Sequence, residues 1–174
     1  MFIEVLIIAI IAGLIRGGRL TNLGRLNFKY IYLVFAAYLI QVGIDFWAPR
    51  QAFGGYPYLH IASYLLLFFV LRKNRHLPGM NYILGGTVMN FAVIAINGGY
   101  MPVRADVIPR SMAVALATGH GGTHALMTAS TKLGFLADIF YISLPYQQQL
   151  ISMGDIIINV GLLILVIMGM KKEK

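Results

Sequence analysis

Apolar residues gather into five runs along the chain, at 2–15, 30–48, 58–71, 80–96 and 151–170, separated by polar segments. A helix rises about 1.5 Å per residue and the hydrocarbon core of a bilayer is about 30 Å thick, so the second and fifth runs have spanning length. The first and third are short and need their flanks. Leu20 extends the first, with Arg16 and Arg19 snorkelling to an interface, and the third extends backward through Tyr56 and Pro57. The pattern predicts an all-α integral membrane protein of five transmembrane helices, forming a single membrane domain over residues 1–174.

Residues 97–150 break this regularity, and an unstructured connection of that length is uncommon in a compact domain. Gly98, Gly99 and Pro102 end the fourth run. The stretch 106–118 then reads as an amphipathic interfacial helix, with Pro109 in its first turn and Gly119 after its end. The stretch 133–144 carries Leu133, Leu136, Ile139 and Phe140 at helical spacing but includes Asp138, which suits a re-entrant or interfacial helix better than a span. Together these short helices form an external cap.

Composition points the same way. Hydrophobic residues make up 59% of the chain and charged residues 11%. Typical water-soluble domains are about 25% charged. This balance argues against a soluble enzyme, a disordered chain and a conventional nucleic-acid binder, so no nucleic acid is expected as partner. The net charge of +8 sits at the ends of the apolar runs. Alternate segments hold ten Lys or Arg on one side and four on the other. The positive-inside rule then places the amino terminus outside and the carboxyl terminus inside the bacterial cytoplasmic (inner) membrane, with 97–150 external. The first run has Glu4 where a signal peptide carries basic residues and lacks a small-residue cleavage site before Arg16, so it is not read as a cleaved leader. Zero cysteines exclude disulfides, thiolate metal sites and cysteine nucleophiles.

The chemistry rests on a few polar residues. On the five-span topology every carboxylate except Glu173 lies near the external side, with His60, His120 and His124. Asp155, in the first turns of the fifth run, should have a partner. Asn159 lies four residues on and on the same face, and a structural staple to a neighbouring helix competes with a functional role. Gln41 with Asp45, and Asn90 with Asn97, extend a polar seam into the bundle. Asn97, Arg104, Asp106, His120, His124, Lys132, Asp138, Asp155 and Asn159 are the candidate ligand-binding residues, with Arg104 and Lys132 as anion partners. His120 and His124 have the spacing of a helical metal pair, but Gly121 and Gly122 between them disfavour helix. For acid–base chemistry, His124 with Asp138 or Asp106 is the pair of choice.

Three stretches, Asn97-Gly-Gly-Tyr-Met-Pro-Val, His124-Ala-Leu-Met-Thr through Lys132-Leu-Gly-Phe-Leu-Ala-Asp, and Gly154-Asp-Ile-Ile-Ile-Asn-Val-Gly, resemble a family of small bacterial multi-pass membrane proteins known only as a domain of unknown function. The resemblance implies an inner-membrane location and lends no activity, cofactor or site residue. Four functions are then open. A polar site near the external face, for a lipid headgroup, isoprenoid, quinone or small solute, ranks first. An accessory or sensory subunit with a membrane-protein partner comes second. An intramembrane enzyme on a lipid-linked substrate and a small transporter using Asp45 and Asp155 follow. The basic loops are expected to contact membrane lipids.

Overall fold

In the computed structural model, residues 2–51 and 53–171 are described. Lys172, Glu173 and Lys174, part of the charge count above, lie outside them. Seven α-helices are present among the described residues: α1 (Phe2–Ile15), α2 (Leu20–Leu23), α3 (Ile31–Trp47), α4 (Tyr56–Lys73), α5 (Met80–Ile96), α6 (Arg110–Ala117) and α7 (Met153–Gly169). Four short strands join them: β1 (Met101–Val103), β2 (His124–Leu126), β3 (Phe140–Leu144) and β4 (Gln147–Ile151). The all-α expectation is therefore corrected to a mixed helix-and-strand fold.

The five transmembrane spans are corrected as well. No described helix is long and apolar enough to cross a membrane. The second and fifth runs, which alone had spanning length, lose residues at both ends. At 17 residues, α3, α5 and α7 rise only about 25 Å, against about 30 Å of hydrocarbon. The 18-residue α4 does extend back through Pro57, but it includes His60, Arg72 and Lys73. Leu20 does not extend α1, because the chain turns at Gly17 (φ 75°) and starts the separate α2. The fifth run loses Ile151 to β4, and Ser152 caps α7. The inner-membrane topology with an outside amino terminus, which rested on those spans, falls with them.

The long helices pack in the order α3, α4, α5, α7, α1. The α5–α7 contact is the closest, and glycine makes it so. The two helices run antiparallel, with Gly86 of α5 against Gly154 of α7 and Gly79 against Gly161 two turns away. A Cβ on Gly86 would meet the Gly154 carbonyl and stand 2.8 Å from the Ile158 side chain. A Cβ on Gly161 would stand 2.7 Å from the Gly79 carbonyl. Beyond this seam, Val93, Ile94, Met101 and Ala137 form one buried cluster, and Ala9, Val166, Ile167 and Met170 join α1 to α7 in another.

The 97–150 segment departs most from expectation. The stretch 106–118 contains a one-turn 3-10 helix, Ala105–Val107, followed by the shorter α6, because Pro109 precedes α6 as its cap instead of entering its first turn. The stretch 133–144 is not a re-entrant helix. It is a 3-10 turn at Gly134–Leu136 followed by β3, which pairs antiparallel with β4 through a two-residue connection. Aromatic and β-branched Phe140, Tyr141 and Ile142 favour the strand. β1 pairs parallel with β2, matching Met101 to His124 and Val103 to Leu126. A parallel bridge joins Val103 to Asp138, with Asp138 N–H donating to the Pro102 carbonyl at 3.0 Å. β1 thus gathers both His124 and Asp138.

Two neighbouring glycines test the α5–α7 seam. Gly86→Ala should lower stability by about 1–3 kcal/mol through overpacking. Gly85→Ala, whose Cβ meets nothing within 4 Å, should be neutral or stabilising by about 0.5–1 kcal/mol. Denaturant unfolding of both variants measures the contrast.

Candidate functional site

A polar cavity of about 240 Å³ opens where α3, α4, α5, β1, β2 and the start of α7 meet. Its wall includes Gln41, His60, Tyr64, Asn90, Thr123, His124, Asp138 and Asp155. No Lys or Arg lines it.

His124 and Asp138 form its centre. The imidazole Nε2 lies 3.3 Å from Asp138 Oδ2. Asp138 is only 2% exposed, whereas the His124 side chain remains 31% exposed. On the other side of the ring, Nδ1 lies 2.9 Å from Thr123 Oγ1. Thr123 donates both its backbone N–H and its hydroxyl to Asp45 Oδ1, each at 2.8 Å. With its single hydroxyl proton committed to Asp45, the Thr123 oxygen accepts from His124 Nδ1–H. Nε2 faces Asp138 Oδ2, so a proton is shared between the ring and the buried carboxyl.

The electrostatics agree with that assignment. Desolvation pushes the His124 pKa down, but the hydrogen bond to Asp138 and the charges of Asp138, Asp45 and Asp155 outweigh it, and the net shift is upward from 6.5. Asp138 is also raised above its ordinary value, because burial disfavours its charge more strongly than His124 restores it. The pair therefore titrates as a unit that holds on to a proton.

His60 is the opposite case. Gly99, at φ 90°, turns its carbonyl onto His60 Nδ1 at 2.7 Å. A carbonyl only accepts, so Nδ1 carries the proton and Nε2 keeps a lone pair. Burial pulls the His60 pKa below 6.5, which keeps the ring neutral. Burial, aided by Asp155 and Asp138, raises the Tyr64 phenol far above its usual 10.0, so it stays protonated.

Asp155 is held by hydrogen bonds. Asn90 Nδ2 donates to its Oδ1 at 2.8 Å, and Ser152 N–H donates to its Oδ2 at 2.9 Å. Ser152 Oγ in turn accepts from Asp155 N–H at 3.0 Å, closing a capping box at the start of α7. Its partner across the fold is Asn90, because the Asn159 side chain donates to the Asp155 backbone carbonyl at 2.8 Å.

Of the nine candidate ligand-binding residues, the cavity collects His124, Asp138 and Asp155. Arg104 and Asp106 pair with each other at 2.8 Å, both exposed, away from the cavity wall. Asn97 and Lys132 are tied through the Asn97 amide, which accepts from Lys132 N–H at 3.0 Å and donates to its carbonyl at 2.9 Å. His120 bonds Thr118 at 2.8 Å and lines a different cavity. The His120–His124 metal pair is thus separated, and no group of three or more His, Cys, Asp or Glu among the described residues could hold a metal ion. Tyr64, Thr123 and Ser152 were not anticipated. The only advance signal for Thr123 was its place beside His124 in the glycine-rich stretch.

The chain belongs to a family of unknown function, DUF5317, whose model matches residues 25–167, a span that includes the whole cavity wall. It is 27% identical over 168 residues to an uncharacterised protein of Thermotoga maritima, covering 94% of this chain and 89% of that one. No solved structure matches.

The two cavity histidines should separate in an NMR pH titration, with His124 titrating above 6.5 and His60 below it. Asp138→Asn leaves desolvation of His124 less opposed, so its pKa should drop. The folded pKa of His124 lies above its unfolded value, so its stabilising contribution is complete below about pH 6.5 and fades as pH rises through the folded value. The variant's stability deficit should follow that course.

Proposed function

We propose that this chain binds a small polar ligand in the His124–Asp138 cavity, and that the ligand presents an ammonium or a cluster of hydrogen-bond donors. The observation carrying this reading is the charge of the wall. Asp138 and Asp155 face the cavity, Asp45 stands one hydrogen bond behind Thr123, and no Lys or Arg offsets them. Even with His124 protonated, carboxylates outnumber cations. The amide of Gln41 and the lone pair on His60 add positions that recognise hydroxyl or amino groups. A volume of 240 Å³ equals the bulk share of about eight water molecules, which suits a compact amine or amino alcohol. The positions that sequence spacing suggested for an anion, Arg104 and Lys132, do not line this wall.

A second reading, acid–base catalysis on the bound ligand, is favoured by one contact. A buried carboxylate beside a partly open imidazole is the arrangement that gives or takes a proton at a substrate atom. His124 would be the proton carrier and Asp138 the group that sets its orientation and affinity.

The test is a thermal-shift and calorimetric series with ethanolamine, putrescine and glycerol, using acetate as the anionic control. An amine probe should stabilise the protein by about 2.7 kcal/mol at one hundred times its Kd. Asp138→Asn should weaken that probe at least tenfold, by about 1.4 kcal/mol or more. Preference for acetate, or equal affinity in the variant, would defeat the binding reading. For catalysis, a bound amino ketone, whose C–H beside the carbonyl is acidic enough to exchange, should take up solvent deuterium at that carbon faster with the native protein than with His124→Gln.

A further inference from the structure

We propose a second binding site, at the opposite end of the helices, for a phosphate-bearing anion. There the 16–30 connection, the 74–79 connection and the end of α7 enclose a cavity of about 370 Å³. Arg25, Asn27 and His76 supply its polar wall, and no Asp or Glu lines it.

Among the described residues, the cations at this end have no acidic partner. Arg19, Arg25, Lys29, Arg72, Lys73 and Arg75 lie in or beside the two connections, and none pairs with a described carboxylate. The described carboxylates are placed elsewhere, at the start of α1, the end of α3, in 97–150 and at the start of α7. Uncompensated like charges repel one another, so holding them together favours an anion among them.

The frame beneath the cations is rigid and specific. Asn74, fully buried, accepts from Lys29 N–H at 2.7 Å and donates to the Lys29 and Val70 carbonyls, each at 2.8 Å. Asn22 donates to the Met170 carbonyl at 3.0 Å, and Arg19 N–H reaches the same carbonyl at 2.8 Å. These two asparagines fasten both connections and the end of α7 around the cavity, so it keeps its shape without a ligand. His76 Nε2 lies 3.3 Å from the Asn27 carbonyl, which fixes a proton on that nitrogen and leaves Nδ1 as an acceptor for a phosphate hydroxyl.

The donor set selects the ligand class. A guanidinium presents paired N–H groups at the spacing of two phosphate oxygens, the Asn27 amide can donate to a third, and His76 Nδ1 can accept from a protonated one. The phosphate can be free or carried on a lipid headgroup, and the same three residues would meet it.

Calorimetry with inorganic pyrophosphate, and co-sedimentation with phosphatidylglycerol vesicles against phosphatidylcholine vesicles, distinguish these sources. Arg25→Gln, an exposed change, should weaken the bound phosphate about tenfold or more, while Lys29→Gln, outside the cavity wall, should alter it by less than about threefold. Circular dichroism melting confirms that both variants fold. Saturable pyrophosphate binding lost in Arg25→Gln establishes a soluble phosphate. Vesicle association specific to phosphatidylglycerol and lost in Arg25→Gln, without pyrophosphate binding, establishes a headgroup. The proposal is overturned if neither probe binds, or if Lys29→Gln weakens binding as much as Arg25→Gln.

Discussion

The fold depends on two helix backbones approaching closer than side chains normally permit. Gly86, Gly154 and Gly161 remove the Cβ atoms that would hold α5 and α7 apart. The same approach brings Asn90 of α5 to the first turn of α7, where its amide meets Ser152 and Asp155. A larger residue at 154 would strike the Asn90 side chain itself. The seam therefore joins packing to polar chemistry: what lets the helices touch also ties the cavity's Asp155 to the neighbouring helix.

The position of the long helices was legible in the sequence. Apolar runs end at Gly, Asn and Pro, and α5 begins and ends where its run does, while α3 and α4 differ from theirs by one or two residues at each end. Their role was misread. Apolar content is a statement about composition, and it was converted into spans by adding Leu20, which α1 does not use as helix, and by counting Ile151 and Ser152, which precede α7. The 97–150 segment failed for a different reason. A short apolar stretch such as Leu133 to Leu144 satisfies helical spacing and strand propensity equally, and only pairing with β4 decides.

The site was legible in part. His124 with Asp138 is one of the two acid–base pairs that the sequence offers, Asp106 being the alternative carboxylate. The remaining contacts depend on parallel pairing, which leaves no mark at short range. Met101 and His124 are neighbours only because β1 and β2 align, and Thr123 reaches Asp45 across the separation of α3 from β2. Arg104 illustrates the converse. It lies next to β1, yet its side chain turns to Asp106, two residues on. The two cavities thus divide the molecule by sign, with carboxylates and no Lys or Arg around one and a guanidinium and no carboxylate around the other.

The central place of β1 has a consequence for how the protein reaches its native state. His124 and Asp138 join it from segments about twenty and thirty-five residues downstream, each closing a loop whose entropic cost precedes any reward. Local helices form early, and contacts of large sequence separation form late. The β1 closures nevertheless span fewer residues than the α5–α7 seam, so the proton-holding pair can assemble before that seam ties Asp155 to Asn90. A chain stalled before β1 closes would keep most of its helices and lack this chemistry altogether.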